Sequence, residues 1–358
     1  MSDPMVPQLR VVAIGGGTGL STLLMGLKRY VATPGSPSGF ERRGGSRGHG
    51  PKPCANVPCL IRDLAAVVTV TDDGGSSGRL REELQMLPPG DIRNCMVALS
   101  EDEHLLSRLF QYRFEHGDLQ GHSFGNLFLA ALNGISGDFA EAVQTSSQIL
   151  ATRGRIYPAT TANATLTAQM DDGSVVRGET NITASNRSIV ELMLDPPAVD
   201  PLPETLAAIA QADLITLGPG SLYTSLITNL LVRGVAEAIA GSKAVRVYVC
   251  NLMTQANESL GLTASQHIEK ILNHSGKARG QRLFDYALIN TAPIRPETLA
   301  QYAREGQEPI EADLDRVRAL GVEPVAGSFV HEGEVLRHDH EAVATALLEL
   351  GLRIGTRG

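Results

Sequence analysis

The chain has no tryptophan, and aromatic residues make up only 4% of it. Proteins that hold single-stranded nucleic acid stack bases on exposed rings, so a platform of that kind is excluded. Positive charge is also in deficit: 31 Lys and Arg stand against 39 Asp and Glu, and the formal charge of −8 leaves no basic field to draw in nucleic acid. No stretch approaches the roughly 20 apolar residues of a membrane helix. Cysteine is sparse. Cys54, Cys59, Cys95 and Cys250 are scattered, no second pair completes a zinc site with Cys54 and Cys59, and Met1 to Arg10 is polar and short. The expectation is free thiols in a reducing, cytoplasmic compartment.

What the chain does have is glycine, gathered at the ends of apolar runs. Ala65 to Val70 is a β-branched run of strand length, apolar throughout and so expected to be buried on both faces. It delivers Thr71-Asp72-Asp73-Gly74-Gly75-Ser76-Ser77-Gly78-Arg79, and soon after comes Leu87-Pro88-Pro89-Gly90-Asp91-Ile92-Arg93-Asn94. A tight turn with a helix cap would explain a lone Asp-Gly-Gly. It would not explain so many carboxylates, glycines, hydroxyls and arginines in one place. Open parallel sheets bind ligands beyond the carboxyl ends of their strands, where helix N-termini offer unpaired N–H groups. In that setting Gly74 brings the backbone close, Ser76 and Ser77 offer hydroxyls, Arg79 and Arg93 face phosphate, and Asp72 and Asp73 suit a hydrated cation such as Mg2+ or a ribose hydroxyl. Asp91 and Asn94 complete the segment.

The same logic appears twice more. Arg10 to Ile14 reads as the first strand, followed by Gly15-Gly16-Gly17-Thr18-Gly19 and a helix from Leu20 to about Tyr30, an anion site by geometry. It is not the dinucleotide fingerprint, whose last glycine falls on Leu20, and it is not a P-loop, since no Gly-Lys-Ser/Thr follows. Leu214 to Leu217 then delivers Gly218-Pro219-Gly220-Ser221, and the strand Val245 to Cys250 ends at Asn251, in an amide-rich rim with Thr254, Gln255 and Asn257. Between these units, Ser123 is placed to cap a helix from Asn126 to Ile135, with His122 and Asn126 able to turn toward a site; a satisfied structural histidine is the plainer alternative. Further helices are expected over Asn94 to Leu99, Glu103 to Arg113, Asp138 to Leu150, Glu204 to Gln211, Ala264 to Leu272, Glu297 to Glu305 and His340 to Leu352, and a strand over Ala287 to Asn290.

Alternation between Ile156 and Val190, around an Asp171-Asp172-Gly173 turn, predicts an appended β-hairpin. A strand pair is expected around Val325 to Val330 and Glu334 to Arg337. Residues 32–58, rich in Gly, Pro, Ser and Arg, read as a flexible surface insertion. The whole, residues 1–358, is therefore expected to be one α/β domain: a Rossmann-like, doubly wound, mostly parallel sheet carrying the hairpin and the insertion.

With five glycine-, acid- and hydroxyl-bearing motifs in this order, the sequence resembles the gluconeogenesis factor family, the YvcK-like branch of the CofD-like proteins, over nearly everything except 32–58. The resemblance implies a cytoplasmic Rossmann-like protein that binds a uridine-diphosphate amino sugar and acts on cell shape during gluconeogenic growth. It also implies nucleotide-sugar contacts from an Arg before His-Asp and a Tyr before an acidic-Gly turn, which fall on Arg337 and Tyr302. The chain departs at His340, where relatives carry a phosphorylatable Thr. The CofD cousins transfer a phospholactyl group with magnesium, and Asp72 and Asp73 stand where they keep metal-binding acids; the large helical insertion for a deazaflavin is missing here. Three readings are open: a nucleotide-sugar-binding regulator, a magnesium-dependent transferase, and, ranked last for its wrong glycine pattern, an NAD-dependent enzyme with Asp72 on the ribose. The expected assembly is a homo-oligomer such as a dimer.

Overall fold

The computed structural model describes residues 8–32, 54, 57–101, 105–185 and 187–355. Its strands, in chain order, are Leu9–Gly15 (β1), Ile61–Val68 (β2), Arg155–Pro158 (β3), Thr165–Met170 (β4), Val175–Arg177 (β5), Ile189–Asp195 (β6), Leu214–Leu217 (β7), Val245–Val249 (β8), Tyr286–Asn290 (β9), Glu323–Gly327 (β10), Val330–Glu332 (β11) and Leu336–His338 (β12). Seven of them form the main sheet in the order β10-β9-β8-β7-β1-β2-β3, with every pairing parallel. β1 lies inside the sheet, between β7 and β2, because Val11, Val12, Ala13 and Ile14 can all be buried, alternate residues feeding the two faces.

On one face packs the helix Gly17–Lys28 (α1), whose Leu20, Leu23, Leu24 and Leu27 recur at i, i+3, i+4 and i+7 and are all essentially inaccessible to water. Burying each contributes about 1.5–3 kcal/mol. On the other face Leu222, Tyr223, Leu226 and Ile227 close over Val12 and Ile14. Strand order fixes the location of any site. From β1 the chain winds outward through β2 and β3, then returns to β1's other side and continues from β7 to β10, so the winding reverses between β1 and β7. The loops leaving these two strands splay apart, and that crevice is where open α/β sheets take their ligands.

The appended β element has three strands, in the order β5-β4-β6. The hairpin turns at Asp171-Asp172-Gly173 as expected, but Ile156 belongs to the edge strand β3 of the main sheet, and β6 adds on the far side of β4. The C-terminal strand pairing also differs from expectation. Glu323–Gly327 joins the main sheet parallel to β9 after a helical crossover, Leu314–Ala319, and the small antiparallel pair is β11 with β12. The glycine-rich stretch after Asp73 is a helix, Gly75–Leu84 (α2), followed by Gly90–Leu99 (α3), Leu105–Gln111 (α4), Phe124–Ser136 (α5), Phe139–Ile149 (α6) and Glu179–Ala184 (α7). Cys54 and Cys59, expected as free thiols, are joined as a disulfide; five residues apart across a turn, their Cα atoms stand 5.6 Å from each other, within bridging range. The expected insertion, 32–58, lies almost wholly outside the described residues. Among those described, no helix is long and apolar enough to cross a membrane.

Candidate functional site

The two central loops are locked together. Gly19, in the first turn of α1, lies so close to the turn after β7 that a Cβ on it would sit 2.4 Å from the Pro219 carbonyl oxygen. Gly16 is hemmed in likewise: a Cβ there would meet Thr69 Cγ2 at 2.5 Å and Asp91 Oδ2 at 2.8 Å. Asn229 holds this arrangement from below, its Nδ2 donating to the carbonyls of Gly15 and Ser225. Gly218-Pro219 is a cis peptide. Beyond it, the Gly220 N–H donates to Asn251 Oδ1 and Asn251 Nδ2 donates back to the Gly220 carbonyl at 2.7 Å, while Gln255 Nε2 donates to Ser221 Oγ. Gly15 and Gly17 shape the same turn, Thr18 follows, and Gly16 at the helix N-cap offers no side chain to α1, so the dipole end faces the crevice.

A pocket of ≈ 200 Å³ opens here. Gly19, Gly220, Ser221, Asn251, Tyr302 and Arg337 all line it, together with Gln255 of the expected amide-rich rim and His338, which sequence reasoning did not single out. The Tyr302 hydroxyl accepts from the Leu336 N–H at 2.9 Å and so fixes the ring against β12. Arg337 is exposed, and among the described residues it has no ion pair. His338 gives its Nε2 to the Cys250 carbonyl, and burial lowers its pKa to about 4, so its ring is neutral at ordinary pH.

Asp72 and Asp73 part company. Asp72 Oδ1 accepts the Gly74 N–H within its own turn, and the carboxylate lies toward Asp91 and Gly90. Asp73 Oδ1 accepts both the N–H and the hydroxyl of Thr180, at 2.8 and 2.6 Å, so it docks α7 of the appended element. The two do not fit a shared magnesium site, and among the described residues no three His, Cys, Asp or Glu side chains group closely enough to hold a metal. Instead Asp72 shares its surroundings with Asp91 and Glu179, and Glu258 acts in turn on Glu179; the two glutamates were unforeseen because they come from distant segments. Burial, with the neighbouring Asp72, raises Asp91 to about 6 against the pull of the Gly17 N–H. Burial and the charge of Asp72 push Glu179 well up.

Glu258 is buried beneath the second turn, accepting from the Tyr223 N–H and the Thr224 hydroxyl, and burial raises it to about 7. The folded protein therefore keeps a proton there that the unfolded chain releases near 4.5. That contribution to stability is complete below pH 4.5 and is lost as pH rises through about 7, beyond which the buried carboxylate costs roughly 3 kcal/mol. Glu258→Gln should flatten the fall in unfolding free energy between pH 4.5 and 8, measured in urea. Parallel curves for the two proteins would assign the slope to other groups, Asp91 first.

The remaining predicted residues form a second cluster around residues 120–126. Ser76 Oγ lies 2.9 Å from His122 Nδ1 and accepts from Asn126 Nδ2, and all three side chains are buried. Ser123 caps α5 as expected, and its hydroxyl also accepts from Arg93 Nη1 at 2.6 Å; Arg93 Nη2 donates to Asn94 Oδ1. Ser77 Oγ accepts the Gly90 N–H, which ties α2 to α3. Arg79 donates to the Gln120 carbonyl. Burial and the charge of Arg79 lower the pKa of His122.

The family model described as 2-phospho-L-lactate transferase CofD matches residues 11–330. A protein of Halalkalibacterium halodurans named gluconeogenesis factor is 44% identical over 341 residues, 95% of each chain. The gluconeogenesis factor of Bacillus subtilis is 43% identical over 343 residues, 95% of this chain and 98% of that one. The crystal structure of a protein member of the UPF0052 family from Bacillus halodurans superposes with a TM-score of 0.84, at 44% identity, covering 95% of this chain and 99% of its own.

Proposed function

This chain belongs to the gluconeogenesis factor branch of the CofD family, and from that premise we propose that it is a cytoplasmic regulatory protein that binds a nucleoside-diphosphate amino sugar, of the UDP-N-acetylamino-sugar class. Through this ligand a single domain, working as a homo-oligomer, acts on cell shape under gluconeogenic growth. The observation that carries the reading is the meeting of two glycine turns at the sheet's switch point, in one pocket with Arg337 and Tyr302. The turns set helix N-termini against a diphosphate, Arg337 supplies the cation, and the Tyr302 ring offers a face to the base.

A second reading, a CofD-like transferase acting on a nucleoside-diphosphate donor, is favoured by the family model and by the crowding of Asp72, Asp91 and Glu179 beside the first turn. Calorimetry separates the two. UDP-N-acetylglucosamine should bind the wild type with or without magnesium, Arg337→Ala should weaken it by roughly 10- to 150-fold, the worth of a charge-assisted hydrogen bond, and Asp72→Asn should change it only modestly. Magnesium-dependent turnover of a diphosphate-linked donor, lost in Asp72→Asn, would establish the transferase instead. Unchanged affinity in Arg337→Ala would move the diphosphate out of this pocket.

A further inference from the structure

Three arginines crowd the loop 120–123; the carboxylate of Glu83 also acts on His122 there, but among the described residues it forms no ion pair with any of the three. Arg79 donates to the Gln120 carbonyl, Arg113 donates to the Gly121 carbonyl, and Arg93 donates to the Ser123 hydroxyl. A Cβ on Gly121 would lie 3.1 Å from Arg79 Nη2, so two guanidinium groups flank this one residue, with buried His122 next to it. Among the described residues none of the three forms an ion pair, although Arg10, Arg62, Arg153, Arg155, Arg177, Arg187, Arg233, Arg246 and others of this acidic chain do. Asp91 and Asp72 act on Arg93 only from a distance.

Like charges at close range cost free energy unless something opposes them. Here the repulsion is felt: burial first, then Arg113, lowers the pKa of Arg93. Carbonyl and hydroxyl oxygens account for one or two of each guanidinium's five N–H donors, and Arg93 Nε is buried with no partner at all. Mutual repulsion, spare donors and partial exposure are what an arginine cluster has when the anion it serves is a ligand. Beside Arg113, the exposed Tyr112 ring meets Phe114 edge-on with ring centroids 5.2 Å apart, so an apolar surface adjoins the charge.

We propose that Arg79, Arg93 and Arg113 form an anion site around His122, separate from the nucleotide-sugar pocket, that takes the dianionic phosphate group of a second ligand, either free phosphate or a small phosphate ester. The pocket lined by Arg337 and Tyr302 includes none of these residues. α3 links the two: Asp91 at its start lies against Gly16 and Gly17, and Arg93 two residues on reaches Ser123. A nucleotide sugar in one and a phosphate in the other would therefore sit on opposite sides of one helical turn.

The test is calorimetric titration of the full-length protein with inorganic phosphate and with phenyl phosphate, repeated on Arg113→Gln and on Arg79→Gln. Both arginines are exposed, so each variant should melt like the wild type, and either alone suffices if the other fails to fold. Phosphate should bind the wild type, and either substitution should weaken it about tenfold or more, as loss of a charge-assisted contact requires. Tighter binding of phenyl phosphate than of phosphate assigns an ester resting on Tyr112; equal binding assigns the free anion. No phosphate binding, equal binding in wild type and variants, or competitive displacement of phosphate by UDP-N-acetylglucosamine would overturn the proposal. The phosphate titrations read out whether or not the nucleotide sugar binds, so failure of one reading is distinguishable from failure of the other.

Discussion

Gly19→Ala is expected to abolish measurable nucleotide-sugar binding and to lower the unfolding free energy by about 3 kcal/mol or more. The added methyl would meet the Pro219 carbonyl oxygen at 2.4 Å, its carbon at 2.7 Å and the Gly220 nitrogen at 2.9 Å. All three are backbone atoms in a turn held by Asn251 and by the parallel pairing of β1 with β7, so none can swing aside as a side chain would. Relief requires the two glycine turns to separate, and with them the two halves of the proposed diphosphate cradle. Gly134→Ala is the control. Gly134 is exposed in α5 with nothing within 4 Å of a Cβ, and alanine there should gain about 0.5–1 kcal/mol through helix propensity. Urea unfolding and calorimetry on both variants make the comparison; wild-type affinity in Gly19→Ala would mean the turns are not joined through this contact.

The sheet was readable because its strands are buried on both faces and announce themselves as short apolar runs: Leu214–Leu217 emerges with the expected limits, and β1, β8 and β9 within a residue or two. Glycine misled where it did two jobs. Gly74, Gly75 and Gly78 look like a loop, yet they open α2, and Gly78 is glycine because Asp73's carbonyl would stand 2.0 Å from a Cβ. Local pattern could place Asp72 and Asp73 at a strand's end. It could not tell that one turns to Gly90 and the other to Thr180, because Thr180 arrives from an element more than a hundred residues later. Glu179, Glu258 and Arg113 were hidden for the same reason: their chemistry depends on neighbours that only the fold supplies. The pairing of Tyr302 with Arg337 rested on resemblance, and the fold brings both to one pocket with Gly19 and Gly220.

Arg81 is the residue whose weight sequence reading missed most completely, and its removal should cost the most after Gly19. It follows the glycine-rich stretch on α2, where an arginine would ordinarily be solvated, yet it is only 8% exposed. Its guanidinium donates to Asn163 Oδ1, to the Ala164 carbonyl at 2.6 Å, to Thr165 Oγ1 and to the Thr71 carbonyl, so one side chain fastens α2 and the Asp72 turn to the root of β4. Burial lowers its pKa, opposed first by Asp73 and then by Asp72, and the planar fork of donors compensates that cost where a lysine could not. Arg81→Ala leaves the buried carbonyls of Ala164 and Thr71 short of a donor, and the expected loss is about 3 kcal/mol, with Arg81→Lys recovering only a minor part. Because the Asp72 turn hangs from this contact, nucleotide-sugar affinity should fall as well, without any change at Gly19, Tyr302 or Arg337. An unfolding free energy in urea within about 0.5 kcal/mol of wild type would show that the appended sheet is held by its apolar contacts instead, Leu166, Ala168 and Ile182 foremost.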